Sequence, residues 1–187
     1  MSFLLFADSM SPPLPSRRTA LVLSGAAIAL LAGRDALAQG DAGKPEDLQI
    51  LNTALGAEHE AVAAYQVGAE SGLLQKPVLD LAVKFQGHHK QHIEVLAKTV
   101  EKLGGRAAGP KAKYAFPVAQ LKTQADVLGF AAKLEQGAVS AYLGAVPLFA
   151  NRDLAKAAAS ILGDEAMHWA ILRQALGQDP VPAAFVS

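Results

Sequence analysis

The chain of 187 residues is long enough to bury a substantial core, and its length favours one domain. Hydrophobic residues make up 51% of it without runs of alternating β-branched residues, which favours an all-α protein of packed helices. The 17 Lys and Arg residues are scattered and balance 17 Asp and Glu residues, so the sequence has no basic patch of the kind that binds nucleic acid. The lack of cysteine excludes disulfides, thiolate metal sites and a cysteine nucleophile.

Residues 1–38 are predicted to be a bacterial export signal. A basic Arg17-Arg18 pair, a short apolar run and an Ala-x-Ala sequence at 36–38 follow one another in the order of such signals. The paired arginines resemble a twin-arginine signal; Ala20 stands where a bulky residue is usual, which leaves Sec export open. An apolar run of about 13 residues is short for a membrane span, although an uncleaved anchor is the alternative. We therefore expect a periplasmic or secreted protein that uses the export machinery, with Met10 as an alternative start.

After a polar linker (39–44), four helices are predicted between residues 45 and 177. Their expected ranges are 45–71, 77–103, about 123–150 and 152–177. Glycines lie where three of them should stop, Thr123 is an expected N-cap, and Pro147 should kink the third helix or end it early. The tail, 178–187, contains two prolines and is expected to be extended and packed back on the bundle.

The lengths of the connections predict the topology of these helices. The first and third connections are short, so each pair of helices should form an antiparallel hairpin. The middle connection of about 18 residues could travel the ~42 Å length of the second helix. This favours a four-helix bundle of two hairpins joined by one long crossover.

Polar residues interrupt the apolar stripe of every helix at a corresponding place. The segment Glu58-x-x-Ala-Val-x-Ala-Tyr65 matches Glu135-x-x-Ala-Val-x-Ala-Tyr142, 77 residues later. The segment Gly87-x-His-x-x-His92 matches Gly163-x-Glu-x-x-His168, 76 residues later. A repeat of this kind implies a pseudo-two-fold axis that brings the inward polar residues to one level. The candidate metal-ligating residues are Glu58, His89, His92, Glu135, Glu165 and His168.

Three of these six residues are carboxylates on apolar faces that carry no Lys or Arg. A buried carboxylate costs several kcal/mol unless a proton, a hydrogen bond or a metal compensates it. Metal binding is therefore favoured for the set, with a hydrogen-bonded polar layer as the alternative. His88 should flank the site, with ligation as the alternative. His59 should be peripheral, and Tyr65 and Tyr142 should be core residues whose hydroxyls find partners.

With these motifs the chain resembles the ferritin-like superfamily, the di-iron carboxylate four-helix bundles, over about 45–177. That family carries a Glu, a Glu-x-x-His, a Glu and a second Glu-x-x-His on successive helices. The resemblance implies that Glu58 and Glu135 are terminal ligands, that Glu165 bridges, and that His92 and His168 supply nitrogen. His89 departs from the pattern, because the family has a bridging carboxylate at this position.

The resemblance implies two iron ions, with Zn, Cu or Mn as alternatives. An imidazole in the place of a carboxylate favours Fe, Zn, Cu or Ni over Mn and Mg, and leaves a single ion or two unequal ions open.

Three functions follow as hypotheses. The first is an exported metalloprotein with a non-haem di-iron site, an oxidoreductase that oxidises ferrous iron or reduces oxygen or peroxide. The second is a metal-binding or stress-protective bundle without turnover, and the third is a metal-free binding scaffold. Metal ions are the expected partners, and a homodimer is compatible with the sequence.

Overall fold

The computed structural model describes residues 44–186, and four long helices dominate this part of the chain. They are α1 (Pro45–Glu70), α2 (Lys76–Lys102), α3 (Gln124–Ala145) and α4 (Arg152–Ala175). Short 3-10 turns lie at Val118–Gln120 and Val146–Leu148. The predicted all-α class is confirmed. The predicted export signal lies outside the described residues, and of the helices that are described none combines the length and apolar character of a membrane span.

The helix ends follow the signals in the sequence. Thr123 caps α3 through a reciprocal capping box with Asp126, and the side chain of Asn151 accepts backbone N–H groups at the start of α4. The glycines after α1, α2 and α4 have φ values of 70°, 79° and 72°, which side chains with a Cβ rarely adopt. Pro147 lies in the 3-10 turn that follows α3, so the helix ends at Ala145 rather than near residue 150.

The long connection between α2 and α3 crosses the bundle along α1. Asn52 on α1 donates to the carbonyl of Arg106 and accepts from the amide of Ala108, at 3.2 and 2.7 Å. At the other end, the side chain of Gln124 accepts the amide of Gln75, so α2 and α3 begin at the same end of the bundle. The two hairpins and the single crossover are confirmed.

A carboxylate that is buried at the start of α1 joins the two hairpins. Asp47 is 2% exposed and accepts the amides of Ala150 and Asn151 at 2.8 and 3.1 Å. Its carboxylate thus satisfies two backbone donors just before α4. The sequence analysis did not single out this residue.

The apolar core consists of two clusters, one toward each end of the bundle. Leu55, Leu96 and Ile161 belong to the first, and Phe85 and Leu172 belong to the second. On each of α1, α2 and α4 the polar residues of the repeat fall between the two clusters. The core is therefore divided by a polar layer.

The tail after Gly177 forms neither helix nor strand as far as residue 186, and beyond the contact of Arg173 with the carbonyl of Asp179 it does not pack on the bundle. Its apolar side chains Val181 and Phe185 are 72% and 89% exposed. The prediction that the tail returns to the core is therefore wrong.

Candidate metal centre

The structure brings all six predicted residues together in the polar layer. α1 contributes Glu58, α3 contributes Glu135, and α2 and α4 contribute two residues each. Their side chains are nearly inaccessible, since five are at most 3% exposed and that of His92 is 15% exposed. Ligand atoms from these residues form two overlapping groups in which all atoms lie within 4.8 Å of one another. The first group is Glu58, His89, His92 and Glu165, and the second is His89, Glu135, Glu165 and His168.

Glu165 lies between the two groups and presents one oxygen to each. Its Oε1 is 3.2 Å from Nδ1 of His92, and its Oε2 is 3.4 Å from Nδ1 of His168. A carboxylate with this placement can bind one ion through each oxygen. This is the bridging role that the sequence resemblance implied for Glu165.

His89 is the second residue that both groups share. It donates from Nδ1 to Oε2 of Glu58 at 2.8 Å and from Nε2 to Oε1 of Glu135 at 3.3 Å. Because an ionised carboxylate can only accept, a ring with both hydrogen bonds carries two protons and a positive charge. His89 therefore connects the carboxylates of the two hairpins.

The charges in the layer depend on one another. Burial raises the pKa of Glu58, but the neighbouring imidazoles of His89 and His92 outweigh burial and lower the pKa to about 2. Burial acts on Glu135 in the same way, and the neighbouring imidazoles of His168 and His89 hold its pKa well below its usual range. The pKa of Glu165 is raised, because burial and the neighbouring Glu135 outweigh its histidine partners.

The pKa values of the three histidines in the layer are raised. Burial lowers the pKa of His89, but hydrogen bonds with Glu135 and Glu58 raise it to about 10. Against the same effect of burial, carboxylate neighbours raise the pKa of His92 to about 12 and that of His168 to about 9. In the protein without metal, protonated rings thus balance the buried carboxylates.

Two tyrosines orient the carboxylates across the hairpins. The hydroxyl of Tyr142 on α3 donates to Oε1 of Glu58 on α1 at 2.6 Å. In the reciprocal arrangement, the hydroxyl of Tyr65 on α1 donates to Oε1 of Glu135 on α3. Both tyrosines are buried, and their hydroxyls find partners as predicted. The cross-pairing reproduces in space the 77-residue repeat of the sequence.

Four buried atoms of the layer make no hydrogen bond. They are both carboxylate oxygens of Glu165, Nδ1 of His92 and Nδ1 of His168. Buried polar atoms are nearly always paired, so unpaired atoms that face one another need a partner. Oxygen and imidazole donors suit Fe, Zn and other first-row metals. The residues therefore fit a metal ion in each group.

A third group of possible ligands lies at the outer edge of the layer, on α2 and α4. Nδ1 of His88 is 2.8 Å from Nε2 of His168 and 3.2 Å from Oδ2 of Asp164. His88 flanks the layer as predicted, whereas the sequence analysis did not select Asp164. A signal for it existed, because the 76-residue offset that aligns His89 with Glu165 also aligns His88 with Asp164. By contrast His59 contacts the carbonyl of Ala108, away from the centre, as expected.

A cleft between α1 and α3 reaches the centre from another side. Its cavity has a volume of about 250 Å³ and touches Glu58, His89 and Glu135. Small side chains line its walls, and Glu60 and Lys133 lie among its lining residues. Space of this size admits small molecules next to the polar layer.

Two hairpins, one crossover and a central layer of three carboxylates and three histidines define a ferritin-like helical bundle with a candidate metal centre. A family model described as a ferritin-like domain matches residues 46–178. The chain therefore belongs to the ferritin-like domain family.

Two solved structures are similar to this chain. A conserved hypothetical protein from Mycobacterium tuberculosis has a TM-score of 0.65 and 24% identity, over 75% of this chain and 96% of that one. A dodecameric thioferritin, the bacterioferritin-related protein of Bacteroides fragilis, has a TM-score of 0.62 and 18% identity, over 82% and 93%. At these identities the likeness shows the fold alone. None of the curated proteins compared with the sequence matches it.

Proposed function

We propose that this protein is an exported ferritin-like metalloprotein that binds two iron ions in the polar layer and reacts them with oxygen or peroxide. Glu58 and His92 would hold one ion, Glu135 and His168 would hold the other, Glu165 would bridge, and His89, which both groups share, would supply the third nitrogen ligand. Two ferrous ions held in this way would supply the two electrons that reduce oxygen to peroxide or peroxide to water.

The unpaired atoms of Glu165, His92 and His168 are the observation that carries this proposal. A hydrogen-bonded polar layer without metal, the alternative left open by the sequence, would satisfy these atoms internally. They lie instead with both oxygens of Glu165 aimed at opposite histidines, 3.2 and 3.4 Å away. Metal ions between these donors would compensate all four atoms at once.

The cleft between α1 and α3 supports the proposal that the substrate is a small molecule or ion. Glu58, Glu135 and Tyr142 are among the residues that line its cavity. Oxygen, peroxide and free ferrous iron would fit a volume of about 250 Å³ with room for water.

His89 favours a second candidate, a metal-binding or stress-protective bundle without turnover. Its two nitrogens are tied to Glu58 and Glu135, where the family has a bridging carboxylate. If His89 keeps these hydrogen bonds, one oxygen of Glu58 and one oxygen of Glu135 are not free to bind a metal ion. We then expect the remaining donors to hold a single ion.

One experiment separates these candidates. The purified protein is loaded anaerobically with ferrous iron, its metal content is measured by mass spectrometry, and oxygen or peroxide consumption is then followed with excess ferrous iron as the electron donor. Two ions per chain with repeated turnover support the first proposal, and one ion without turnover supports the second. The variant Glu165→Gln/His168→Gln should lose the iron, whereas His59→Gln should keep it. Equal metal content in all three proteins would contradict a centre in the polar layer.

Export is the part of the proposal that rests on the sequence alone. Arg17 and Arg18 precede an apolar run, as in twin-arginine signals, which carry proteins already folded around a metal. Replacing both with lysine should retain the protein in the cytoplasm, and Arg34→Lys should not. Export of the double-lysine variant would favour the Sec route, and a cytoplasmic wild-type protein would contradict export.

Self-association is also part of the proposal. The dodecameric relative from Bacteroides fragilis motivates it, and Leu143 and Leu148, which are 42% and 67% exposed, give α3 and its following turn an apolar surface. Light scattering after size exclusion would separate the homodimer that the sequence suggested from a larger shell or a monomer.

A further inference from the structure

The third ligand group lies where the polar layer meets the surface. The side chains of His88 and Asp164 are 31% and 23% exposed, whereas that of His168 is 2% exposed. The group therefore contains two residues that solvent reaches and one that belongs to the buried centre. It lies on α2 and α4, and the cleft described above lies between α1 and α3.

The three ligand atoms have the spacing of donors around one ion. Nδ1 of His88, Oδ2 of Asp164 and Nε2 of His168 are separated by 2.8, 3.2 and 3.3 Å. Donors that bind one ion at about 2.0–2.2 Å with angles of 90–110° lie roughly 3 Å apart. Two imidazoles and one carboxylate are a donor set that suits iron, zinc and cobalt.

His168 belongs to this group and to the buried centre through different nitrogens. Its Nε2 faces Asp164 and His88, while its Nδ1 lies 3.4 Å from Glu135 and 3.4 Å from Glu165. A neutral imidazole has one lone pair, so it cannot bind an outer and an inner ion at the same time. A metal ion bound to one nitrogen of His168 therefore prevents the other nitrogen from binding a second ion.

His92 has the same double orientation. Its Nδ1 faces Glu58 and Glu165, and its Nε2 is 3.4 Å from Oδ2 of Asp164. Asp164 therefore contacts the outward nitrogens of both histidines whose inward nitrogens face the centre. Among the described residues, Asp164 is the only carboxylate within 4.0 Å of either outward nitrogen.

We propose that His88, Asp164 and Nε2 of His168 form an outer site that captures a divalent transition metal ion and passes it to the buried centre. This inference rests on the proposed function of that centre as a metal site. When the ion is captured, Nε2 of His168 gives up its proton to solvent, which leaves a neutral ring with one proton on Nδ1. During transfer the ion leaves Nε2 and binds Nδ1, and the ring proton moves from Nδ1 to Nε2. The ring stays neutral and the metal keeps its oxidation state. In the loaded protein the Nε2–H then donates to Asp164.

The rate of metal uptake tests this site, with Co²⁺ as the probe and its visible absorption as the signal. His88→Gln should slow the loading of the centre by about tenfold or more, with the same final number of ions. His59→Gln is the matched control, since it makes the same substitution at a histidine outside both sites, and it should load at the wild-type rate. Loading of His88→Gln at the wild-type rate overturns the outer site.

A second variant isolates the outer site from the centre. In Glu58→Gln/Glu135→Gln the inner ligands are weakened, and one weakly held Co²⁺ ion should remain. Adding His88→Gln to this variant should remove that ion. Retention of the ion after this change overturns the assignment of His88. A wild-type protein that binds no cobalt overturns the buried centre itself, whereas full loading at unchanged rates overturns only the outer site.

Discussion

Metal binding at this centre should release protons, because the three buried histidines hold them in the protein without metal. The pKa is raised to about 10 for His89, to about 12 for His92 and to about 9 for His168. At pH 7 each ring therefore carries two protons, and a nitrogen that binds a metal must lose its own. Loading of both ions should release about three protons per chain.

The proton count sets how steeply affinity depends on pH. Each released proton changes the binding free energy by about 1.4 kcal/mol per pH unit, so three protons give about 4 kcal/mol, or a thousandfold change in affinity. The carboxylates add little in this range, since the pKa of Glu58 is lowered to about 2 and that of Glu135 is lowered as well. Affinity should rise with pH from about 5 to 9.

Titration with Zn²⁺ in a weakly buffered solution with an indicator dye measures these protons. Zinc is the suitable probe, because it has no redox chemistry that would consume protons. The wild-type protein should release about three protons per chain at pH 7, and His168→Gln should release about one fewer. His59→Gln should match the wild type. Full zinc occupancy with no proton release would refute the charge balance described for the polar layer.

Three further predictions concern stability, measured by urea or thermal unfolding. Protonation of the three histidines, whose pKa values are raised in the folded protein, stabilises the metal-free fold fully below pH 6.5, and this stabilisation is lost as pH rises through 9 to 12. The unfolding temperature without metal should therefore fall between pH 6.5 and 10. An unfolding temperature that does not change over this range would contradict the prediction. Tyr142→Phe removes the donor to buried Glu58 and should cost about 1–3 kcal/mol. Tyr114→Phe in the crossover removes only an acceptor of an exposed backbone amide and should cost clearly less, and equal effects would exclude a special role for the buried hydroxyl. Asp47→Ala should likewise cost about 1–3 kcal/mol, because it leaves two backbone donors unsatisfied, and its exposed neighbour Glu46→Ala serves as the control.

The helices and the six central residues could be predicted because both depend on local spacing. An apolar stripe at intervals of three and four residues fixes which face of a helix is buried, and loop lengths fix which helices are neighbours. The internal repeat then placed Glu58 and Glu135 at the same level as the residues of α2 and α4. No contact between helices had to be known for these conclusions.

The contacts that were missed depend on how the helices are rotated against one another. Asp164 lies one residue from Glu165 and therefore points about 100° away on the helix, so the apolar stripe does not include it. Only the packing of α2 against α4 brings His88 next to it, at 3.2 Å. Asp47 was missed because its partners, the backbone amides of residues 150 and 151, are a hundred residues away in sequence and meet it only in the folded bundle.

The geometry around His89 links the two sides of the centre. A carboxylate at this position would add a fourth negative charge to a layer that already holds Glu58, Glu135 and Glu165. The imidazole instead donates to two of them and so keeps the metal-free layer near electrical balance. A layer whose charges are balanced in this way does not need a metal ion to neutralise its carboxylates before the ions arrive. The outer site on α2 and α4 would then serve the uptake of metal, and the cleft between α1 and α3 would serve the small oxidant, so that neither has to pass the other.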